Sequence, residues 1–237
     1  METRGEAKVR VAIWGATGAT GNELVRQCIA DSRVGSVVVF ARRPLSFKDP
    51  SITEVMVEDF IDLSGLREQL GDIDSAFWCL GVSQSSVSDE KRYREITLDY
   101  TLAAARALHR ESPGVEFHFL SGMGADPTGK TRMMWARVKG ETENELRAIG
   151  LRRLTIWRPA YIHVVAGRDR PSPVERIFAL LAPVLGLVPG MVNPTVNIAQ
   201  AMLVVAFDPR LTGRFSAKQI NALSVRYRGT GTVNLRQ

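Results

Sequence analysis

Cysteine and histidine are scarce in this 237-residue chain, which has two of the first and three of the second. Cys28 and Cys79 fall in apolar helix and strand patterns, so they read as reduced, buried thiols and not as a disulfide framework. That usage, with a polar and charged N-terminal stretch in place of a signal peptide, gives the expectation of a cytoplasmic protein. His109, His118 and His163 have no metal-ligand spacing, so no metal is expected. No Ser-His-acid nucleophile signature appears. Long apolar runs are missing too. The longest apolar region, Ile177 to Val188, is broken by Pro183 and Gly186, which argues against a membrane span. The charge balance is basic, with 31 Lys and Arg against 25 Asp and Glu. The arginines are scattered, without blocks or aromatic-basic alternation, which argues against a nucleic-acid partner. No repeat or low-complexity tract appears.

What is present is a glycine run behind an apolar strand. Val9-Arg10-Val11-Ala12-Ile13-Trp14 leads straight into Gly15-Ala16-Thr17-Gly18-Ala19-Thr20-Gly21, and a helix pattern follows at Asn22. This order puts a bare backbone turn and a helix N-terminus at the carboxyl end of a buried strand. Free N–H groups and the helix dipole at such a place suit a pyrophosphate. Gly15 permits the turn, Gly18 lets backbone approach phosphate, and Gly21 lets helix pack on strand. The run predicts a dinucleotide site.

At 45% hydrophobic, the chain can bury one sizeable core. Short apolar strand patterns lie at Val9–Trp14, Ser36–Ala41, Glu54–Val57, Ser75–Leu80, Val115–Ser121 and Leu154–Arg158. Helix patterns lie near Asn22–Asp31, Leu63–Leu70, Asp89–Arg110 and Thr131–Ile149. The alternation predicts an α/β fold, a Rossmann-like doubly wound parallel sheet flanked by helices. Gly71, Gly114 and Gly150 stand where C-cap glycines belong. After Tyr161 the alternation fades and prolines punctuate the chain. Helix patterns at Val174–Leu181 and Asn197–Phe207 bracket a Pro/Gly-rich loop. Residues 161–237 are too few for a core of their own, so the expectation is one domain over 1–237 whose last part is a small substrate-side cap.

The second strand ends Phe40-Ala41-Arg42-Arg43-Pro44. A carboxylate at that turn would bind ribose hydroxyls and repel a 2′-phosphate, whereas arginine accommodates the phosphate. With Arg42 and Arg43 there and no acid, NADP(H) is expected over NAD(H). Asp59 and Phe60, closing the third strand, can accept from an adenine amino group and pack on its face, although Asp59 also suits a helix start. Leu80, Gly81 and Val82 end the fourth strand, where glycine lets a cofactor lie against the backbone.

Several segments resemble the short-chain dehydrogenase/reductase superfamily, and within it the atypical group of HIV Tat-interacting oxidoreductase-like proteins. They are Phe40-Ala41-Arg42-Arg43-Pro44-Leu45-Ser46-Phe47, Trp78-Cys79-Leu80-Gly81, Leu98-Asp99-Tyr100, Leu120-Ser121-Gly122-Met123-Gly124-Ala125-Asp126 and Val138-Lys139-Gly140-Glu141. The resemblance spans roughly residues 9–163. It implies that Pro159, Ala160 and Tyr161, after Arg158, border the nicotinamide. It also implies a Tyr-x-x-x-Lys pair, in which lysine holds the nicotinamide ribose and lowers the tyrosine pKa while tyrosine exchanges a proton with substrate. Here the stretch reads Trp135-Ala136-Arg137-Val138-Lys139, and indole cannot release a proton at neutral pH. Ser121 takes the position of the serine that bonds the substrate oxygen, and Gly122 stands where relatives carry a second serine. Tyr93, Tyr100, Tyr161 and His163 are the candidate substitutes for the missing acid, and the mid-strand His118 reads as a packed residue.

Three functional readings follow. The first is an NADP(H)-dependent oxidoreductase on a small carbonyl or alcohol, with Lys139, Ser121 and Trp135 at the reacting end. The second, resembling the NmrA-like proteins, is a dinucleotide-binding regulator with weak or no turnover and a protein partner, for which Ile177–Leu187 offers an apolar surface. The third is an epimerase or dehydratase of sugar nucleotides. The chain is expected to be a monomer or homodimer.

Overall fold

The computed structural model describes residues 8–46, 48–82, 87–164 and 190–229. Six strands come first: β1 (Val9–Trp14), β2 (Val34–Ala41), β3 (Ile52–Met56), β4 (Ser75–Trp78), β5 (Glu116–Leu120) and β6 (Arg153–Arg158). The short β7 (Tyr161–His163), β8 (Val192–Pro194) and the later β9 (Gly213–Ser216) follow. Seven of these make one sheet in the order β3-β2-β1-β4-β5-β6-β9, every neighbouring pair parallel. β7 and β8 pair separately. The expected doubly wound Rossmann-like sheet is therefore present, with the order reversing between β1 and β4, where such folds open a crevice.

Helices cover both faces. On one side lie α2 (Arg67–Leu70), α3 (Glu90–Arg94), α4 (Tyr100–Glu111) and α5 (Met134–Ala148), packed with Trp14, Phe40, Trp78 and Phe119 in one apolar cluster. On the other lie α1 (Ala19–Ala30), α6 (Thr195–Phe207) and α7 (Ala217–Gly229), packed with Ile13, Val37, Val39, Phe77 and Trp157. The strand registers align Trp14 with Phe40 and with Trp78, which makes an aromatic row at the carboxyl edge of the sheet. Trp14 and Phe40 stack at 4.3 Å, and Trp14 and Trp78 stand 5.6 Å apart.

Some boundaries differ from the expectation. The pattern read as one helix over Asp89–Arg110 is α3 and α4 joined by a π turn at Glu95–Asp99. The π turn releases the Thr97 carbonyl, which accepts from the Thr101 hydroxyl at 2.7 Å and, more weakly, from that of Thr142 on α5 at 3.4 Å. Of the three expected C-cap glycines, only Gly150 has a positive φ (79°); after α2 the left-handed residue is Asp72. The described residues of the C-terminal part complete the second helical layer. α6 is apolar on nearly every side and packs beneath the sheet, and Tyr227 of α7 donates to Asp31 at the end of α1. β9 escaped the sequence reading because, as an edge strand, it buries only Phe215. The Val174–Leu181 pattern and the whole Ile177–Leu187 surface lie outside the described residues, as does Phe47.

Gly140 sets how closely α5 approaches the turn after β5. A Cβ there would collide with the Asp126 carbonyl, at a place where Asp126 N–H donates to the Ala136 carbonyl and Asn144 to that of Pro127. Gly140→Ala should therefore destabilise the protein by about 1–3 kcal/mol, since backbone has to move away. Urea unfolding checks this, and a variant as stable as the parent would refute so tight a contact.

Candidate functional site

The glycine turn carries the geometry that its spacing predicts. Gly15 has φ +76°, and a Cβ there would come within 2.5 Å of Leu80 N and 2.6 Å of the Cys79 carbonyl carbon. The turn thus presses on the end of β4. A Cβ on Gly21 would collide with the Gly15 carbonyl, so α1 sits directly on the turn. Gly18 is the N-cap residue; its N–H donates to Gly15 O at 2.9 Å, and no side chain caps α1. The first-turn N–H groups of Ala19, Thr20 and Gly21 consequently have no side-chain partner, and the first turn holds no acid. That end of α1 is electropositive backbone at the crevice.

A cleft of about 220 Å³ opens beside it, lined by Gly15, Thr17, Gly18, Arg42, Arg43, Phe60 and the Cys79–Val82 segment, with Ile96 and Tyr100 from the π turn and the start of α4. The cleft brings together the first-strand, second-strand and fourth-strand residues singled out in the sequence. Arg42 and Arg43 are exposed at its rim and make no ion pair among the described residues. The nearest strand acid, Glu54, faces elsewhere: its carboxylate accepts from Leu45 N–H at 2.8 Å and fixes the loop after the arginines. Phe60 is buried, 5.5 Å from the Tyr100 ring. Asp59, expected at the adenine end, also holds a local turn. It is exposed and accepts from Ile61 N–H at 2.7 Å, holding a turn. The lining also contains Ile96, which the sequence reading did not single out. A π turn inside a long helix pattern leaves no mark in apolar spacing.

The reacting end that the resemblance implies lies one strand further along, on α5 and the turn after β5. Trp135 and Lys139 stand one helical turn apart on one face. Both flank Gly122, whose Cβ position is 3.5 Å from Trp135 Cζ3 and 3.9 Å from Lys139 Cδ. The far edge of the indole, Cη2, lies 3.3 Å from the Cβ position of Gly124, which has φ +96°. The indole therefore fills the space left by two glycines. Lys139 is half-buried, and its Nζ donates to the carbonyls of Leu120 and Ser121, each at 2.9 Å. Loss of hydration pulls its pKa from the ordinary 10.5 down to about 8, against the pull of the Glu143 charge, which raises it.

Ser121 departs from its expected role. Its hydroxyl, almost fully buried, donates to Glu143 Oε1 at 2.6 Å and does not face the cleft. Glu143 has no solvent exposure and is held by the Arg158 guanidinium in a two-pronged pair, at 2.8 and 2.7 Å. Glu143 was missed in the sequence. Its signal was there: an acid four residues beyond Lys139, on the buried stripe of α5, with an arginine before the Arg158-Pro159 turn to meet it.

The remaining candidates fall as follows. Pro159 is buried and its carbonyl accepts from Met123 N–H at 2.8 Å, which joins the turn after β5 to the end of β6. The Ala160 N–H is already taken by Asn193 Oδ1 at 2.8 Å. Tyr161 opens β7 with its ring 6.4 Å from that of His163. Tyr93 is in the core. Tyr100 lines the cleft, its hydroxyl between Arg92 and Glu95. His118 is fully buried, accepts from Trp157 Nε1 and stacks on Phe77, so it has no access to the site.

No family model matches the chain. Rat HTATIP2 is 27% identical to it over 197 residues, covering 81% of this chain and 79% of the relative. The protein fmp52, mitochondrial, of Emericella nidulans is 27% identical over 184 residues, covering 75% and 76%. Among solved structures, the Bordetella bronchiseptica enzyme WbmF in complex with NAD+ superposes with a TM-score of 0.66 at 16% identity, over 97% of this chain and 80% of that one. These likenesses bear out the resemblance read from the motifs, to the atypical short-chain dehydrogenases/reductases, and the Rossmann-like fold. They correct the cytoplasmic expectation, because several fungal relatives are named mitochondrial. Reduced thiols do not distinguish the cytosol from other reducing compartments.

The Lys139 environment has a measurable consequence. In lysine-selective NMR, Lys139 should titrate near pH 8, below other lysines, and Glu143→Gln should move it lower still by removing the favourable charge. Because the folded chain binds this proton less tightly than the unfolded one, Lys139 makes stability rise with pH between about 8 and 10.5. A Lys139 signal titrating with the bulk would refute the desolvated ammonium. Glu143→Gln should also cost about 3–5 kcal/mol in urea unfolding, since it strands the half-buried Arg158 charge.

Proposed function

We propose that this chain binds a nicotinamide dinucleotide, NADP(H) in preference to NAD(H), and serves as a reductase or dehydrogenase of low turnover on a small carbonyl or alcohol. The observation that carries the reading is the cleft itself: an uncapped, acid-free helix N-terminus behind Gly15 and Gly18 at one end, and at the other two arginines that pair with no acid among the described residues, in a lining without a carboxylate. The glycine contacts fit the group, because any side chain at Gly15 or Gly21 would fill the place of the turn against β4 or α1. NAD+ held by WbmF on the same fold agrees with this.

In this reading the backbone of Thr17–Gly21 holds the pyrophosphate, and Arg42 and Arg43 hold the 2′-phosphate bidentately. Phe60 and the Leu80–Val82 segment border the adenosine half. Lys139 holds the nicotinamide ribose through the one Nζ proton not given to Leu120 and Ser121. When bound, the dinucleotide supplies hydride chemistry. The chain itself has to supply a proton, and here it is poor. Trp135 has none to release, and the Ser121 proton is engaged by Glu143. A general acid typically contributes about 10²–10⁴-fold, so turnover without one is slow.

The same two facts favour a second reading, a dinucleotide-binding regulator whose ligand alters contact with a protein partner. A sugar-nucleotide epimerase or dehydratase shares the need for the missing tyrosine and ranks third.

Fluorescence titration with NADPH and NADH tests the binding. NADPH should bind more tightly, and Arg42→Glu should weaken NADPH by tenfold or more while changing NADH by about twofold at most. Equal affinities for the two would sink the arginine argument, and no binding of either would sink the reading. Consumption of NADPH with a panel of aldehydes and ketones separates the enzyme from the regulator. For the enzyme, Trp135→Tyr with Gly122→Ser should raise turnover by at least tenfold, by restoring two hydroxyls beside Lys139. The serine Cβ meets the ring position at an ordinary 3.5 Å.

A further inference from the structure

A second cavity, of about 520 Å³, opens on the carboxyl edge of the sheet and shares no lining residue with the dinucleotide cleft. Its walls are Met123 and Gly124 after β5, Arg158 at the end of β6, Gly190 and Met191 before β8, Arg214 on β9, and the first turn of α7 with Lys218. The size suits a small-molecule ligand. The chemistry of the wall is one-sided. It holds three cationic side chains and, among the described residues, no carboxylate. Arg158 is neutralised by Glu143, whereas Arg214 and Lys218 meet no acid among the described residues. The N-terminus of α7 is not the source of this charge preference. Ser216 and Gln219 cap it reciprocally, with Ser216 N–H and hydroxyl both donating to Gln219 Oε1 at 2.9 and 2.8 Å. That cap fixes the turn carrying Lys218. Gly190, at φ +87°, packs against the same turn, its Cβ position 3.1 Å from Lys218 N. Met123 and Met191 supply an apolar, adaptable side.

The cavity is also placed beside the reacting end. Gly124 lies in its wall, and Trp135 packs on that same glycine. Pro159, next to Arg158, accepts from Met123 N–H. One turn of chain therefore separates the cavity from the Trp135–Lys139 face.

We propose that this cavity seats an oxyanion-bearing small molecule, a carboxylate or phosphate ester with an apolar body, held by Arg214 and Lys218 at its charged end and by Met123 and Met191 along its body. Naming that molecule the substrate rests on the oxidoreductase reading; the binding itself does not. The fork of Arg214 matches both oxyanions, so the two headgroups are compared directly.

Isothermal titration of the full chain with octanoate, octyl phosphate and octanol tests the inference. At least one of the two anions should bind at least tenfold more tightly than octanol. Arg214→Ala and Lys218→Ala should each weaken that anion by about tenfold while leaving octanol unchanged. Both residues are exposed, and near-UV circular dichroism checks that the variants keep the fold. Octanol binding as tightly as both anions would overturn the proposal, as would folded variants that bind the anions like the parent. The same titrations separate the two readings. A chain that binds octyl phosphate but neither dinucleotide refutes the cofactor reading and keeps this one. A chain that binds NADPH but neither anion does the reverse.

Discussion

A carboxylate with no access to water, Glu143, joins three segments through its side chain, beside the backbone bonds that also link them. It accepts from the Ser121 hydroxyl in the turn after β5, meets Arg158 at the end of β6, and belongs to α5, which carries Trp135 and Lys139. Desolvating a carboxylate costs several kcal/mol, and a two-pronged guanidinium with a short hydroxyl bond offsets that cost only if all partners keep their geometry. The pair therefore contributes less to net stability than to uniqueness of arrangement. It also sets the local field. Its negative charge opposes the desolvation of Lys139 one helical turn away, so the ammonium keeps part of its affinity for the proton.

Beneath this charged junction the sheet supplies rigidity of another kind. The row of Phe40, Trp14 and Trp78 lies across three neighbouring strands at the edge from which the glycine turn emerges. Large rings stacked in register leave strand ends little freedom to shift. Gly15 then turns off Trp14 and presses on the backbone that follows Trp78. Electropositive backbone at α1 and the arginines after β2 are thus held at a distance fixed by packing. Two cationic features near one another would otherwise tend to spread apart.

Much of this was legible in the chain itself. The strand into Gly15–Gly21, the alternation that follows it and the paired Arg42-Arg43 each follow local rules of backbone freedom, period and charge. What escaped depended on partners far away in sequence. Glu143 reads as one more acid on a polar helix until Arg158 is brought across the sheet to meet it. The Ser121 hydroxyl looks available until that acid is placed. The local turn that Asp59 holds needs no partner beyond Ile61. β9 was missed because an edge strand of four residues with one buried side chain has no periodicity to detect.

The reacting end shows how a change in one residue type spreads. A tyrosine in the place of Trp135 would leave room near Gly122 and Gly124, and relatives fill part of that room with a serine. Here the indole reaches Gly124, whose positive φ already disfavours any side chain, and lies in ordinary contact range of Gly122. The larger ring and the two glycines are therefore one packing unit and not independent losses. The indole, whose N–H has no proton to release at neutral pH, occupies the space beside both glycines. Lys139, one helical turn along the same face, has its pKa drawn down to about 8, so its ammonium exchanges a proton nearer neutral pH than an ordinary lysine does. How freely that ammonium, tied to two carbonyls, lets a proton go is set by the same burial and by the opposing charge of Glu143.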